Sequence, residues 1–128
     1  MKYILLVLFY VQLGAAGTID HIRKNGHLKC GVSTGLAGFS SPDSKGNWKG
    51  LDVDVCRAVS AAIFGSTEQV KYVSLNAQQR FTALQSGEID LLSRNTTLNL
   101  GRDTLMGINF APVHFMMARV LWFEKKMG

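Results

Sequence analysis

The pattern of apolar and polar positions divides the chain into a greasy leader followed by short alternating elements. Tyr3 to Leu13 is apolar apart from Gln12, sits behind a single Lys2, and ends in Gly14-Ala15-Ala16-Gly17. A positive start, a short apolar core and small residues at the end form a secretory signal peptide, with the cut expected after Gly17. The run is too short for a spanning helix, which needs about 20 apolar residues. An uncleaved anchor is the disfavoured alternative.

Beyond the leader, Thr18 to Lys24 reads as a lead-in helix with Ile19 and Ile22 on one face, ended by Asn25-Gly26. Leu28 to Ser33 is a first strand. Thr34 to Lys49 is loop-like, rich in glycine, with a turn near Pro42 to Gly46. Leu51 to Phe64 is an amphipathic helix, with Asp52 expected to cap its start and Val55, Val59, Ala62 and Ile63 as its inner stripe. Gly65 stops it. Val70 to Leu75 is a second strand. Asn76 caps a helix over Ala77 to Ser86, with Phe81 and Leu84 inward and Gly87 just past its end. Ile89 to Leu92 is a third strand, and Asn99 or Gly101 opens a short helix toward Met106. Strands alternating with helices predict a parallel α/β sheet.

Composition adds three constraints. The formal charge of +5 falls to +4 once Lys2 leaves with the leader, and the excess is dispersed. A nucleic-acid partner would need a basic patch or stripe, so none is expected. The two cysteines, Cys30 and Cys56, fall in a strand and the following helix of an exported chain. A disulfide and two buried thiols both remain open, because geometry decides between them. His21, His27 and His114 show no ligand spacing with one another or with the cysteines, so no metal site is expected.

In parallel α/β sheets ligands sit beyond the carboxyl ends of the strands. Two loops qualify: Ser33 to Phe39 after the first strand, and Ser93-Arg94-Asn95-Thr96-Thr97 after the third. Arg94 and Arg102 are candidate anchors for a carboxylate, since a guanidinium makes two parallel charge-assisted bonds to one. The hydroxyls of Thr96 and Thr97 would extend that surface, and Ser33 with Gly35-Leu36-Ala37-Gly38 would supply backbone groups and a wall. By pattern alone the same residues better suit a structural role, with Arg102 pairing Asp103 or capping its helix and the threonines satisfying a turn. Asn95-Thr96-Thr97 is also a glycosylation sequon, a short and common match. No nucleophile–base constellation can be assembled, and no cofactor is expected.

Four segments carry a resemblance: CGVSTGLAGFS (Cys30 to Ser40), GNWKGLDVDVCRAV (Gly46 to Val59), RFTALQSGEIDLLSRNTT (Arg80 to Thr97) and the following GRD. They resemble the general L-amino-acid-binding periplasmic proteins of ABC importers, from Thr18 to about Val113. The resemblance implies an α/β fold, the first lobe of a type II periplasmic-binding protein, with a mostly parallel sheet flanked by helices and incomplete here. It implies a periplasmic location, an L-amino acid as ligand and an inner-membrane ABC permease as partner. By it, Arg102 matches the arginine gripping the ligand α-carboxylate. Asn95 and Thr97 match positions whose backbone and hydroxyl groups touch the ligand, Ser33 and Leu36 line the pocket, and Arg94 is a weaker correspondence. The family's ammonium-binding aspartate belongs to a second lobe.

After Phe110-Ala111-Pro112-Val113 the likeness stops. Relatives continue close to YDGQGFMVRK, whereas here the text is Phe115-Met116-Met117-Ala118-Arg119-Val120-Leu121-Trp122-Phe123-Glu124-Lys125-Lys126. Codons for these residues, read one base out of register, permit the relatives' text. The expectation is therefore a signal peptide over 1–17, a first lobe over 18–113 and an out-of-frame tail over 114–128. The expected function is amino-acid capture for import, weak or absent in truncated form. The alternatives are a non-functional secreted fragment of a disrupted gene and, less favoured, a dehydratase-like enzyme on the same fold.

Overall fold

A computed structural model of the chain describes residues 17–97 and 108–110. The leader, Arg102, the helix expected toward Met106 and the tail from His114 lie outside the described residues. The chain divides into two compact units, 1–95 and 96–128. The architecture below belongs to the first; of the second, Thr96, Thr97 and residues 108–110 are described.

The elements are α1 (Thr18–Asn25), β1 (Leu28–Ser33), β2 (Ser41–Pro42), β3 (Trp48–Lys49), α2 (Leu51–Phe64), β4 (Val70–Leu75), α3 (Gln79–Gln85) and β5 (Leu91–Leu92). Three strands form a parallel sheet in the order β4-β1-β5. Leu28 to Ser33 pair in register with Val70 to Leu75 on one side, and Cys30 and Gly31 pair with Leu91 and Leu92 on the other. β1 is central, so its residues are buried on both faces, Lys29 apart. The Lys29 ammonium leaves the sheet to reach the Gly87 carbonyl at 2.6 Å and the Asp90 carboxylate at 3.8 Å.

Strand alternation sorts the interior into two layers. Cys30 and Val32 of β1 join Cys56 of α2, with Trp48, Val70, Tyr72 and Leu91 around them. Residues of opposite parity on the strands, Val73, Leu75 and Leu92, join Ala83 and Leu84 of α3 and Ile89. Side chains on a strand alternate faces, so α2 and α3 cover opposite sides of the sheet. Gly31 lies on the α3 side, where an added Cβ would stand 2.6 Å from Ile89 Cδ1 and 2.9 Å from Leu75 Cδ1. The lack of a side chain lets the α3 layer close onto the sheet.

Cys30 and Cys56 are joined in a disulfide that ties α2 to the central strand. This tether explains where the expected inner face of α2 is wrong. The buried residues are Asp52, Val53, Cys56 and Ser60, whereas Ala62 is exposed and Val55, Val59 and Ile63 are half-buried. The Ser60 hydroxyl tolerates burial because it donates to the Ser66 carbonyl at 2.8 Å. Asp52 is not the cap: the N-cap is Gly50, without a side-chain hydrogen bond, and Asp52 lies within the first turn.

Asn76 accepts from the backbone N–H groups of Gln78 and Gln79 at 3.0 and 2.9 Å, as a helix-capping side chain does, although α3 is shorter than expected. The loop after β1 contains a small antiparallel hairpin, β2–β3, that two-residue strands cannot announce by periodicity. Asp43 organises it, its Oδ1 accepting from the amides of Lys45 and Asn47 at 2.9 Å each while Lys49 Nζ lies 3.1 Å from Oδ2. These bonds, the Asn47 amide foremost and then Lys49, hold the Asp43 carboxyl at about 2, below its ordinary 3.8. A depressed folded-state pKa means the contribution is fully present above the unfolded value and is lost as pH falls through the folded one. An NMR pH titration should therefore give an Asp43 midpoint of about 2, with the Asn47 amide shift following the same curve. A midpoint at the ordinary value would contradict this geometry.

Candidate functional site

The carboxyl ends of β1 and β5 lie side by side, which places the two sequence-predicted loops together. Ser93 N–H donates to the Gly31 carbonyl at 2.9 Å, extending the β1–β5 pairing to the start of the turn. Ser93 is only 2% exposed, and its hydroxyl donates to the Asp52 carbonyl at 2.9 Å. The turn after β5 is thereby fastened to the first turn of α2. Ser93 was not singled out from the sequence; a small hydroxyl at the end of an apolar strand was the only sign.

The loop after β1 is closed upon itself. Leu36 N–H donates to the Ser40 carbonyl at 2.8 Å, while the amides of Phe39 and Ser40 donate to the Leu36 carbonyl at 3.0 and 2.9 Å. Ser40 is fully buried, and its hydroxyl accepts from the Ser33 amide at 3.2 Å. Ser33 is itself buried and Leu36 half-buried, so both belong to a stiff rim at the end of β1. This rim is anchored to α2 through Leu51 N–H to the Gly38 carbonyl, 3.0 Å, and Asp52 N–H to the Phe39 carbonyl, 2.9 Å.

Arg94 serves the turn itself. Its Nη1 donates to the Leu75 carbonyl at 2.6 Å, and its Nη2 and Nε donate to Asn95 Oδ1 at 3.0 and 3.3 Å. Burial pulls the Arg94 guanidinium below the usual arginine value, an effect opposed by the buried Asp52 carboxylate. A second arginine, Arg80 of α3, donates from Nη1 to the Asn95 carbonyl at 2.8 Å and stacks over the Phe81 ring at 4.8 Å. Sequence reading assigned Arg80 no role.

The first unit thus brings together Ser33, Leu36, Arg94 and Asn95. Thr97, exposed, belongs to the second unit, and Arg102 lies outside the described residues. Among the described residues, no group of three or more His, Cys, Asp or Glu side chains could hold a metal ion. The first unit offers stiff backbone rims and an ordered polar turn, a surface suited to binding a small polar molecule.

Comparison with known proteins places this surface in context. The sequence pattern of the bacterial extracellular solute-binding proteins, family 3, matches residues 28–127. The general L-amino acid-binding periplasmic protein AapJ of Rhizobium johnstonii is 55% identical over 101 residues, covering 79% of this chain and 30% of that protein. A periplasmic binding protein from Brucella ovis, solved with glutathione bound, is 54% identical and superposes with a TM-score of 0.77, covering 79% of this chain and 32% of that one. An arginine-bound point mutant of domain 1 from TmArgBP is 27% identical with a TM-score of 0.59, covering 66% of this chain and 64% of that one. The chain therefore spans about 30% of the length of the curated relative it matches.

Proposed function

The chain belongs to the bacterial extracellular solute-binding proteins, family 3, and on that premise we propose that it carries the first-lobe part of an amino-acid-binding site. The whole protein of which such a lobe is part captures L-amino acids in the periplasm and presents them to an ABC permease in the inner membrane. The observation that carries this reading is the meeting of two loops at the ends of neighbouring parallel strands, Ser33 to Ser40 and Ser93 to Asn95, fastened together through the first turn of α2. The ligand is held by its α-carboxylate, the group to which the family resemblance also assigns Arg102 and Thr97. A γ-glutamyl peptide carries the same α-carboxylate, and the Brucella ovis relative is solved with one, glutathione.

A ligand resting on one lobe stays largely open to water. An exposed guanidinium–carboxylate pair contributes about 0–1 kcal/mol, against several kcal/mol for loss of ligand freedom. The 128-residue chain alone should then bind L-amino acids only at millimolar concentrations. The arginine-bound domain 1 of TmArgBP supports the premise that a single lobe can hold such a ligand at all. Calorimetric titration should find weak heats for L-glutamine and glutathione and none for 4-aminobutanamide, which is L-glutamine without its carboxylate. Equal responses to L-glutamine and 4-aminobutanamide would sink the carboxylate reading.

A further inference from the structure

We propose that the Asn95 side-chain amide is a specificity-determining hydrogen-bond donor to a ligand oxygen, with Arg94 and Arg80 as the positioning residues that aim it. The proposal rests on the amino-acid-binding reading above and deepens it.

Arginine only donates, so the atom of Asn95 that meets Arg94 Nη2 and Nε at 3.0 and 3.3 Å must be the carbonyl oxygen. The amide nitrogen is thereby turned away from Arg94, and Asn95 is exposed. Its Nδ2 makes no hydrogen bond among the described residues. Among the described residues no acceptor takes its two donor hydrogens, in a turn at the strand ends where the proposed ligand sits. Swapping the amide would set an N–H against a guanidinium, so the orientation is enforced.

The turn is also held from two directions. Arg94 Nη1 anchors to the Leu75 carbonyl at the end of β4, and Arg80 reaches from α3 to the Asn95 carbonyl at 2.8 Å. The Arg80 guanidinium is itself steadied over the Phe81 ring. Leu75 and Arg80 flank the corner in which Asn76 accepts from the Gln78 and Gln79 amides. The corner between β4 and α3 and the turn after β5 therefore form one closed circuit of bonds, with the Asn95 amide at its exposed point. A donor held this way favours an anionic or carbonyl oxygen and disfavours a cationic or donor group at the same place.

The decisive variant is Asn95→Asp. It keeps an acceptor for Arg94, so its melting temperature should equal or exceed that of the parent chain. It replaces the outward donor with an anionic oxygen, so L-glutamine affinity, read from NMR shift titration, should fall about tenfold or more. Binding within about twofold of the parent would overturn the donor assignment. Nitrogen-15 relaxation of the Asn95 side-chain amide in the ligand-free chain tests the positioning separately. The amide should be ordered in the parent and Arg94→Lys should leave it mobile, because lysine cannot fork to Oδ1 and the Leu75 carbonyl together. Arg80→Ala should loosen it to a lesser degree. An amide as mobile in the parent as in Arg94→Lys would overturn the positioning role. An ordered amide in a chain indifferent to L-glutamine would contradict the amino-acid reading while supporting the positioning.

Discussion

Replacing Cys30 and Cys56 together by alanine is expected to lower the stability of the lobe by about 3.5 kcal/mol, from the chain entropy released when a loop of this length is opened. The two residues are 26 apart in sequence, and both are fully buried at the centre of the α2 layer. In a small domain such a loss corresponds to a fall in melting temperature on the order of 15 °C. The physical reason is that α2, tied by hydrogen bonds at its start, brings little apolar surface to the sheet. Its buried face includes Asp52 and Ser60 as well as Val53 and Cys56, so the apolar surface it contributes is small. The disulfide substitutes for core that a lobe of this size lacks. Thermal unfolding by circular dichroism measures the effect. A fall of less than about 5 °C would mean that packing alone holds α2 on the sheet.

The second large effect is expected at Gly50. Its φ of +125° lies where side-chain-bearing residues are strained, and an added Cβ would stand 2.3 Å from the Phe39 carbonyl oxygen and 2.4 Å from its carbon. Those are backbone atoms and cannot swing aside. The same carbonyl accepts from Asp52 N–H, and the neighbouring Gly38 carbonyl accepts from Leu51 N–H. Gly50→Ala must break this seam between the rim after β1 and the start of α2. Strain and overpacking together should cost about 3 kcal/mol. Gly46→Ala is the internal control, because its φ is +82° but nothing lies within 4 Å of its Cβ position. It should cost about 1 kcal/mol, the left-handed conformation alone. Equal melting temperatures for the two variants would show that the seam is not tight.

Much of this fold is written locally in the chain. β1, α2 and β4 begin and end where the residues predict, because Gly26 and Gly65 adopt left-handed caps and the strands are rich in apolar and β-branched residues. Asn76 does accept from the amides of Gln78 and Gln79 ahead of the helix, but the N-cap itself is Gln78. What could not be read depends on tertiary context. The inner face of α2 is set by the disulfide and by buried polar groups satisfied nearby, so counting apolar residues picks the wrong stripe. The β2–β3 hairpin hangs on the Asp43 carboxylate rather than on hydrophobic alternation.

The candidate site shows the same division. The two loops are legible because strand ends in parallel sheets are where ligands bind. The roles of individual residues within them are not. Arg94 has the chemistry of a carboxylate clamp, yet its guanidinium is turned onto Leu75 and Asn95, which makes it a brace for the turn. Arg80 carries no sequence signal for its bond to the Asn95 carbonyl. Such roles depend on partners far away in sequence, so spacing carries no trace of them. The fold that results is one lobe of a type II periplasmic-binding protein, as its likeness to the Brucella ovis structure shows.

On the proposed reading, the ends of β1 and β5 form the carboxylate side of an amino-acid cleft. The most direct test is an NMR shift titration of the nitrogen-15-labelled chain with L-glutamine, observed residue by residue. The expected result is a millimolar midpoint, with perturbations in the first unit confined to Ser33 to Ser40 and Ser93 to Asn95 and absent with 4-aminobutanamide. Perturbations gathered instead on the β2–β3 hairpin or the outer face of α2, or no perturbation of either loop, would contradict it.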